Sequence, residues 1–153
     1  MPVVTVTAEP PRQPEVLELL RQGDEFTLAL YPPESSHLLS VDELERPGVT
    51  VFVARTAGNA VGMVALVADG GGVAELKRMF VLPAARGTGT GAALLAALES
   101  HAREHGIAVV QLETGPLQPA AIRLYERSGY VLIPNFGKYR GDPHSVCYEK
   151  TLT

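Results

Sequence analysis

The chain has 153 residues, 46% of them hydrophobic and 20% charged, which suits one globular domain, residues 1–153, with a core of its own. Its net charge of −4 at pH 7 argues against wholesale binding to nucleic acid or to an acidic membrane surface. The single cysteine, Cys147, excludes an internal disulfide framework; with no leader-like start and no apolar run of spanning length, the expectation is a cytoplasmic protein.

Residues 3–7 alternate like a first strand. Pro14 suits the first turn of a helix with Val16, Leu17 and Leu20, extended by Phe26 and Leu30, on its buried face. The run Tyr31-Pro32-Pro33-Glu34-Ser35-Ser36-His37 breaks it. Ser40 and Glu43 form a capping-box pair that opens a short helix to Glu45, stopped by Pro47-Gly48. Residues 50–56 and 60–68 read as a hairpin around Gly58-Asn59, and Gly70-Gly71-Gly72 turns the chain into a strand over 73–82. Pro83 ends that strand, since proline lacks a ladder donor. A helix follows in which Leu94, Leu95, Leu98 and Ala102 repeat at helical spacing, leaving Glu99, Arg103 and Glu104 for solvent. Gly106 closes it. Next come a buried strand over 108–114, a helix over 119–128 ended by Gly129, and closing strands over 130–133 and 145–152 joined by the loop 135–143.

Between the strand and the central helix lies Arg86-Gly87-Thr88-Gly89-Thr90-Gly91, with Ala92 after it. Three glycines there permit a tight turn and bring bare N–H groups against a ligand, and the positive end of the helix dipole suits a phosphate or pyrophosphate. Arg86 adds a fixed charge. A purely structural turn would cost helix stability without return. A dinucleotide fingerprint is suggested by Gly87, Gly89 and Ala92, but the proline spacer and the short remaining chain speak against a doubly wound sheet. A phosphate loop of the nucleotide hydrolases fails because no Gly-Lys-Ser or Gly-Lys-Thr is present.

The strand, the Val81-Leu82-Pro83-Ala84-Ala85-Arg86 spacer, this loop and the following helix resemble motif A of the GNAT superfamily of N-acetyltransferases. Leu112-Glu113-Thr114-Gly115 followed by Ala121-Ile122-Arg123-Leu124-Tyr125 and Gly129-Tyr130 resembles the family's motif B. An Asn that the family often carries is replaced by Gln118-Pro119. The runs from Pro32 to His37 and from Asp142 to Val146 resemble a bacterial subgroup of small members. The element order β-α-α-β-β-β-α-β-α-β-β extends the resemblance over nearly the whole chain. It implies a mixed α/β (α+β) fold with a central, largely antiparallel sheet flanked by helices.

The resemblance also implies a function: transfer of the acetyl group of acetyl-CoA, as co-substrate, to a primary amine by direct attack in a ternary complex. Transfer of another short acyl group, or an acyl-CoA-binding or sensory module without turnover, are the alternatives. By the same resemblance Arg86, Gly87, Thr88, Gly89, Thr90, Gly91 and Ala92 hold the pyrophosphate. Met79, Phe80 and Val81 pair with the pantetheine arm where the strands splay, and Tyr125 protonates the leaving thiolate. Arg123, Arg127, Lys77 and Arg78 are further phosphate partners. Glu75 is a candidate base, on one face with Lys77, Met79 and Val81 if the alternation is unbroken; His37, or ordered water, is the other option. Tyr31, Glu34, His37, Phe136 and Tyr139 are expected to wall the acceptor pocket. The acceptor, a small molecule or a protein or peptide amine, is left open, as is the choice between monomer and homodimer. His101-Ala102-Arg103-Glu104-His105 matches a zinc-protease pattern, yet it closes a helix where such residues suit the dipole. No metal is expected.

Overall fold

Among residues 3–152, which the computed structural model describes, the chain runs β1 (Val4–Ala8), α1 (Pro14–Leu30), α2 (Val41–Leu44), β2 (Val49–Thr56), β3 (Asn59–Ala68), β4 (Val73–Val81), α3 (Thr90–Glu104), β5 (Val109–Thr114), α4 (Pro119–Arg127), β6 (Val131–Ile133) and β7 (Val146–Thr151). The strands form one sheet in the order β1-β2-β3-β4-β5-β7-β6. Neighbours are antiparallel except β4 and β5, which run parallel. α3 is the crossover that a parallel pair requires.

Alternation along the central strands builds two cores. Val51 and Val53 of β2 and Met63 and Ala65 of β3 face α1 and α2, meeting Val16, Leu19, Leu20 and Leu44. Phe52, Ala54, Val64 and Leu66 face the other way, onto Leu94, Leu95, Leu98 and Ala102 of α3 and Tyr125 of α4. Full burial of each leucine contributes roughly 1.5–3 kcal/mol. α2 opens with the capping box expected of Ser40 and Glu43.

Several local expectations are corrected. α1 buries Val16, Leu19, Leu20 and Gly23, an i, i+3, i+4, i+7 stripe. Leu17 and Phe26 are 40% and 38% exposed: Leu17 lies well to the side of that stripe, while Phe26, one turn past Gly23, borders an open cavity. The β2–β3 turn is Ala57-Gly58, both with positive φ (52° and 82°), as a two-residue hairpin of this hand demands, and Asn59 already belongs to β3. Glu99 is not solvent-facing: it accepts from the Tyr130 hydroxyl at 3.1 Å and from Lys150 Nζ at 2.8 Å. It follows Leu95 by one helical turn and so shares its buried side.

Candidate active site

The ladder between β4 and β5 ends at Leu76↔Leu112, although β4 continues to Val81 and β5 to Thr114. The two strands part there, leaving one backbone edge of β4 open. Just past the fork, Arg78 has φ +60° and the register against β3 slips by one residue: Lys77 pairs with Ala65, but Phe80 pairs with Met63. This is a β-bulge, with β4 carrying the extra residue. A non-glycine residue in this conformation costs of order 1–3 kcal/mol. Arg78 is anchored there by its Nη1 bond to Asp24 Oδ1 at 2.7 Å. The bulge corrects the expected face: Glu75 and Lys77 lie on the α1 side with Phe80, whereas Met79 and Val81 pack on the α3 side.

β4 leads into the glycine loop. Gly87 and Gly89 have φ of +76° and +86°, and Gly89 is the N-cap of α3 with no side-chain cap. Among the described residues, none of the backbone N–H groups from Gly87 to Ala92 has an acceptor. A Cβ on Gly87 or Gly89 would meet nothing within 4 Å, whereas one on Gly91 would lie 2.8 Å from Leu124 Cδ2. The first two glycines therefore face open space, and the third lets α3 and α4 approach. Arg86 donates from Nε to the Val81 carbonyl at 3.0 Å and lies over the rings of Phe26 and Phe80 at 5.3 and 5.7 Å. Thr88 and Thr90 share a hydroxyl bond of 2.8 Å.

A cavity of about 530 Å³ extends from this loop along Met79, Phe80 and Val81, with Arg123 and Arg127 of α4 on its rim and Leu19 and Leu20 of α1 at its inner end. A row of unclaimed N–H donors at a helix N-terminus, with two arginines beside it, fits a pyrophosphate. Arg78 lines this cavity, but Lys77 does not.

A second cavity, of about 110 Å³, lies at the fork between β4 and β5. Tyr31, His37, Lys77, Glu113, Tyr125 and His144 line it. Tyr125 is 3% exposed, and among the described residues its hydroxyl takes part in no hydrogen bond. Burial, aided by the charge of Glu113, raises its pKa. The Tyr31 hydroxyl accepts from the Leu117 N–H at 3.0 Å and sits so near Gly115 that a Cβ there would lie 1.8 Å from it. His37 Nε2 is 3.0 Å from Asp142 Oδ2, and Ser35 Oγ donates to Asp142 Oδ1 at 3.1 Å. The segment after α1 is thus tied to the β6–β7 loop.

Lys77, 8% exposed, donates to the His37 carbonyl at 2.8 Å and to Tyr139 Oη at 2.6 Å. Tyr139 in turn donates to Glu75 Oε2 at 2.5 Å. Burial lowers the Lys77 pKa and raises that of Tyr139. Glu113 accepts from the Ser145 hydroxyl at 2.8 Å.

Of the five expected acceptor residues, Tyr31 and His37 line this cavity. Tyr139 stands behind it, Phe136 packs edge-on against Tyr139 at 5.3 Å, and Glu34 is exposed. Glu75 lines neither cavity. The sequence reading noted Glu113 and Asp142 only as parts of motifs; the further signal for Glu113 was a carboxylate inside a strand otherwise read as buried. His101 and His105 stack at 4.0 Å, and no group of three potential metal ligands occurs among the described residues. No helix among them is long and apolar enough to cross a membrane.

The profile of the Acetyltransferase (GNAT) family matches residues 15–130. An IAA acetyltransferase of Azospirillum brasilense is 42% identical over 153 residues, covering 99% of this chain and all of that one. A Klebsiella pneumoniae structure described as an acyl-CoA N-acyltransferase is 36% identical, with a TM-score of 0.83 and 98% of each chain covered. The PaiA N-acetyltransferase of Thermoplasma acidophilum, solved with coenzyme A, shares the fold at a TM-score of 0.75 and 16% identity over 97% of this chain and 99% of that one.

Proposed function

This chain is a member of the acetyltransferase (GNAT) family, and from that premise we propose that it transfers the acetyl group of acetyl-CoA to a primary amine by direct attack in a ternary complex. The observation that carries this reading is the continuity of the site. Unclaimed N–H donors at Gly87 to Ala92 lead along the open edge of β4 to the fork, where the Tyr125 hydroxyl stands without a partner.

In this reading the pyrophosphate lies on the loop N–H groups, with Arg86, Arg123 and Arg127 adding charge. The pantetheine arm pairs with Met79, Phe80 and Val81, where β5 has turned away. That brings the thioester to the fork and leaves the second cavity for the amine end of the acceptor. Holding both reactants in one enclosure removes most of the entropic cost of a bimolecular step. The nitrogen lone pair attacks the thioester carbon, the C–N bond forms, the C–S bond breaks and the sulfur leaves with its electron pair. Tyr125 is protonated at neutral pH and supplies the proton the sulfur needs, and the proton that the nitrogen sheds passes through water to restore the Tyr125 hydroxyl.

The test is thiol release from acetyl-CoA across a panel of amino acids, aliphatic and aromatic primary amines, peptides and the IAA for which the Azospirillum relative is named. The expected result is amine-dependent release with an equal yield of N-acetylated product. Tight CoA binding with no release from any of the panel would instead mean a binding module.

A further inference from the structure

The strained residue of β4 carries a second cost. Arg78 holds φ +60° just past the fork, and its side chain is 5% exposed. Its Nη1 donates to Asp24 Oδ1 at 2.7 Å. Its Nε is buried without a hydrogen-bond partner, the one side-chain nitrogen or oxygen in that condition among the described residues. Nη2 has no partner among them either. Arg55 shows how a guanidinium is satisfied elsewhere in the molecule: its Nε, Nη1 and Nη2 reach Glu9, Glu15, Gln13 and the Gly58 carbonyl. A buried charged donor left unpaired costs the fold, and a positive φ at a non-glycine residue adds to that cost. The two together at one residue point to a ligand that relieves the first.

Nε and Nη2 share one edge of the planar guanidinium, and their hydrogens run side by side. That edge can hold both oxygens of a carboxylate. Arg78 lines both cavities, and among the described residues that do so it alone is charged. We propose that this edge of Arg78 binds a carboxylate on the acceptor, which is therefore an amino acid or another amine with a carboxylate a few bonds from its nitrogen. The inference rests on the amine-acetylation reading above and narrows its substrate class.

Other claims on the guanidinium are weaker. Asp24 meets Nη1, away from the open edge, and is half exposed, so water screens its charge. The CoA phosphates have Arg86, Arg123 and Arg127 beside the glycine loop, whereas Arg78 sits where the strands part. An amide carbonyl of the pantetheine arm is neutral and needs no buried cation. Within the second cavity, Lys77 and Glu113 carry opposite charges that act on one another. The Lys77 ammonium is also held by the His37 carbonyl and Tyr139, and His37 is bound to Asp142. Arg78 is left as the cation with hydrogens to spare at the junction. A carboxylate fixed there would restrict the acceptor's rotation and present its amine to the thioester at the fork. A peptide N-terminus has an amide in place of that carboxylate, so free amino acids are favoured over peptides.

The test compares α-, β- and γ-amino acids with their carboxamides, which keep the amine and the shape but lose the charge. For the chain length that fits best, kcat/KM should favour the carboxylate by roughly tenfold or more, the scale of a charge-assisted hydrogen bond. Most of that difference should lie in KM, because the contact is made on binding. Arg78→Met should abolish the preference, and Arg78→Lys, which keeps the charge without the fork, should retain only part of it. CoA affinity should be unchanged in both. Because two acceptors are compared on one preparation, a general loss of turnover from disturbing the bulge cancels. The wild-type comparison needs no variant and decides the matter even if position 78 tolerates no change. Acetylation of amines without a preference for carboxylates, or a preference that survives Arg78→Met, would overturn the assignment and leave amine acetylation standing. A fall in CoA affinity with the preference kept would give Arg78 to the co-substrate instead. Failure to acetylate any amine would overturn both readings together.

Discussion

In the proposed reaction Tyr125 concentrates the chemistry of the site in one atom. Its hydroxyl makes no hydrogen bond among the described residues and opens on the second cavity, and burial of the residue together with the nearby Glu113 holds it protonated. Both properties suit a proton donor that acts only when a thiolate forms beside it. Tyr125→Phe keeps the ring, which packs edge-on against Tyr130 at 5.9 Å, and removes only the proton. We expect kcat to fall by roughly 10²-fold or more, with CoA affinity unchanged and Tm equal or slightly higher; turnover and thermal melting on one preparation check this. A core tyrosine without a chemical role would keep its turnover. This residue was legible in the sequence because it sits in an Ala-Ile-Arg-Leu-Tyr helix that resembles a family motif. Glu113 was not, because one strand's alternation cannot tell whether a carboxylate meets solvent or a cavity closed by residues far away in the chain. Glu99 misled for the same reason: its partners Tyr130 and Lys150 lie 31 and 51 residues away.

At the scale of an element, the loop entering α3 and the bulge in β4 divide the work. The loop was readable, since glycines at a helix start leave N–H groups bare, and Gly87 and Gly89 do take positive φ. A Cβ at position 89 would meet no protein atom within 4 Å, but valine would be strained in that conformation and would add bulk beside the open groove. Calorimetry on Gly89→Val should show CoA affinity at least about tenfold lower, near 1.4 kcal/mol, with the circular dichroism of the folded protein retained. An unchanged Kd would remove the loop from CoA binding. The bulge was not readable. No glycine marks it, and the sequence around Arg78 fits an unbroken strand, so period-2 reasoning carried Met79 and Val81 onto the wrong face. Its signature is the slipped register and the +60° φ of Arg78.

For the molecule as a whole, the chain order of elements followed from hydrophobic spacing and turn residues, because each is a local pattern repeated many times, and the mixed sheet followed from the family resemblance; the two cores did not follow from either. The second cavity followed from none of them. It is assembled from the segment after α1, the fork of β4 and β5, α4 and the β6–β7 loop, and its defining contacts join residues as far apart as Ser35 and Asp142, 107 positions away. In the proposed reaction the fork gives these pieces a common purpose, since a co-substrate lying along β4 would meet the acceptor there. A crystal structure with acetyl-CoA tests that placement most directly. The pyrophosphate oxygens should lie within hydrogen-bonding distance of the N–H groups between Gly87 and Ala92, and the sulfur should lie beside the Tyr125 hydroxyl with the acetyl group at the second cavity. Acetyl-CoA bound with its thioester away from the fork of β4 and β5 would contradict the account.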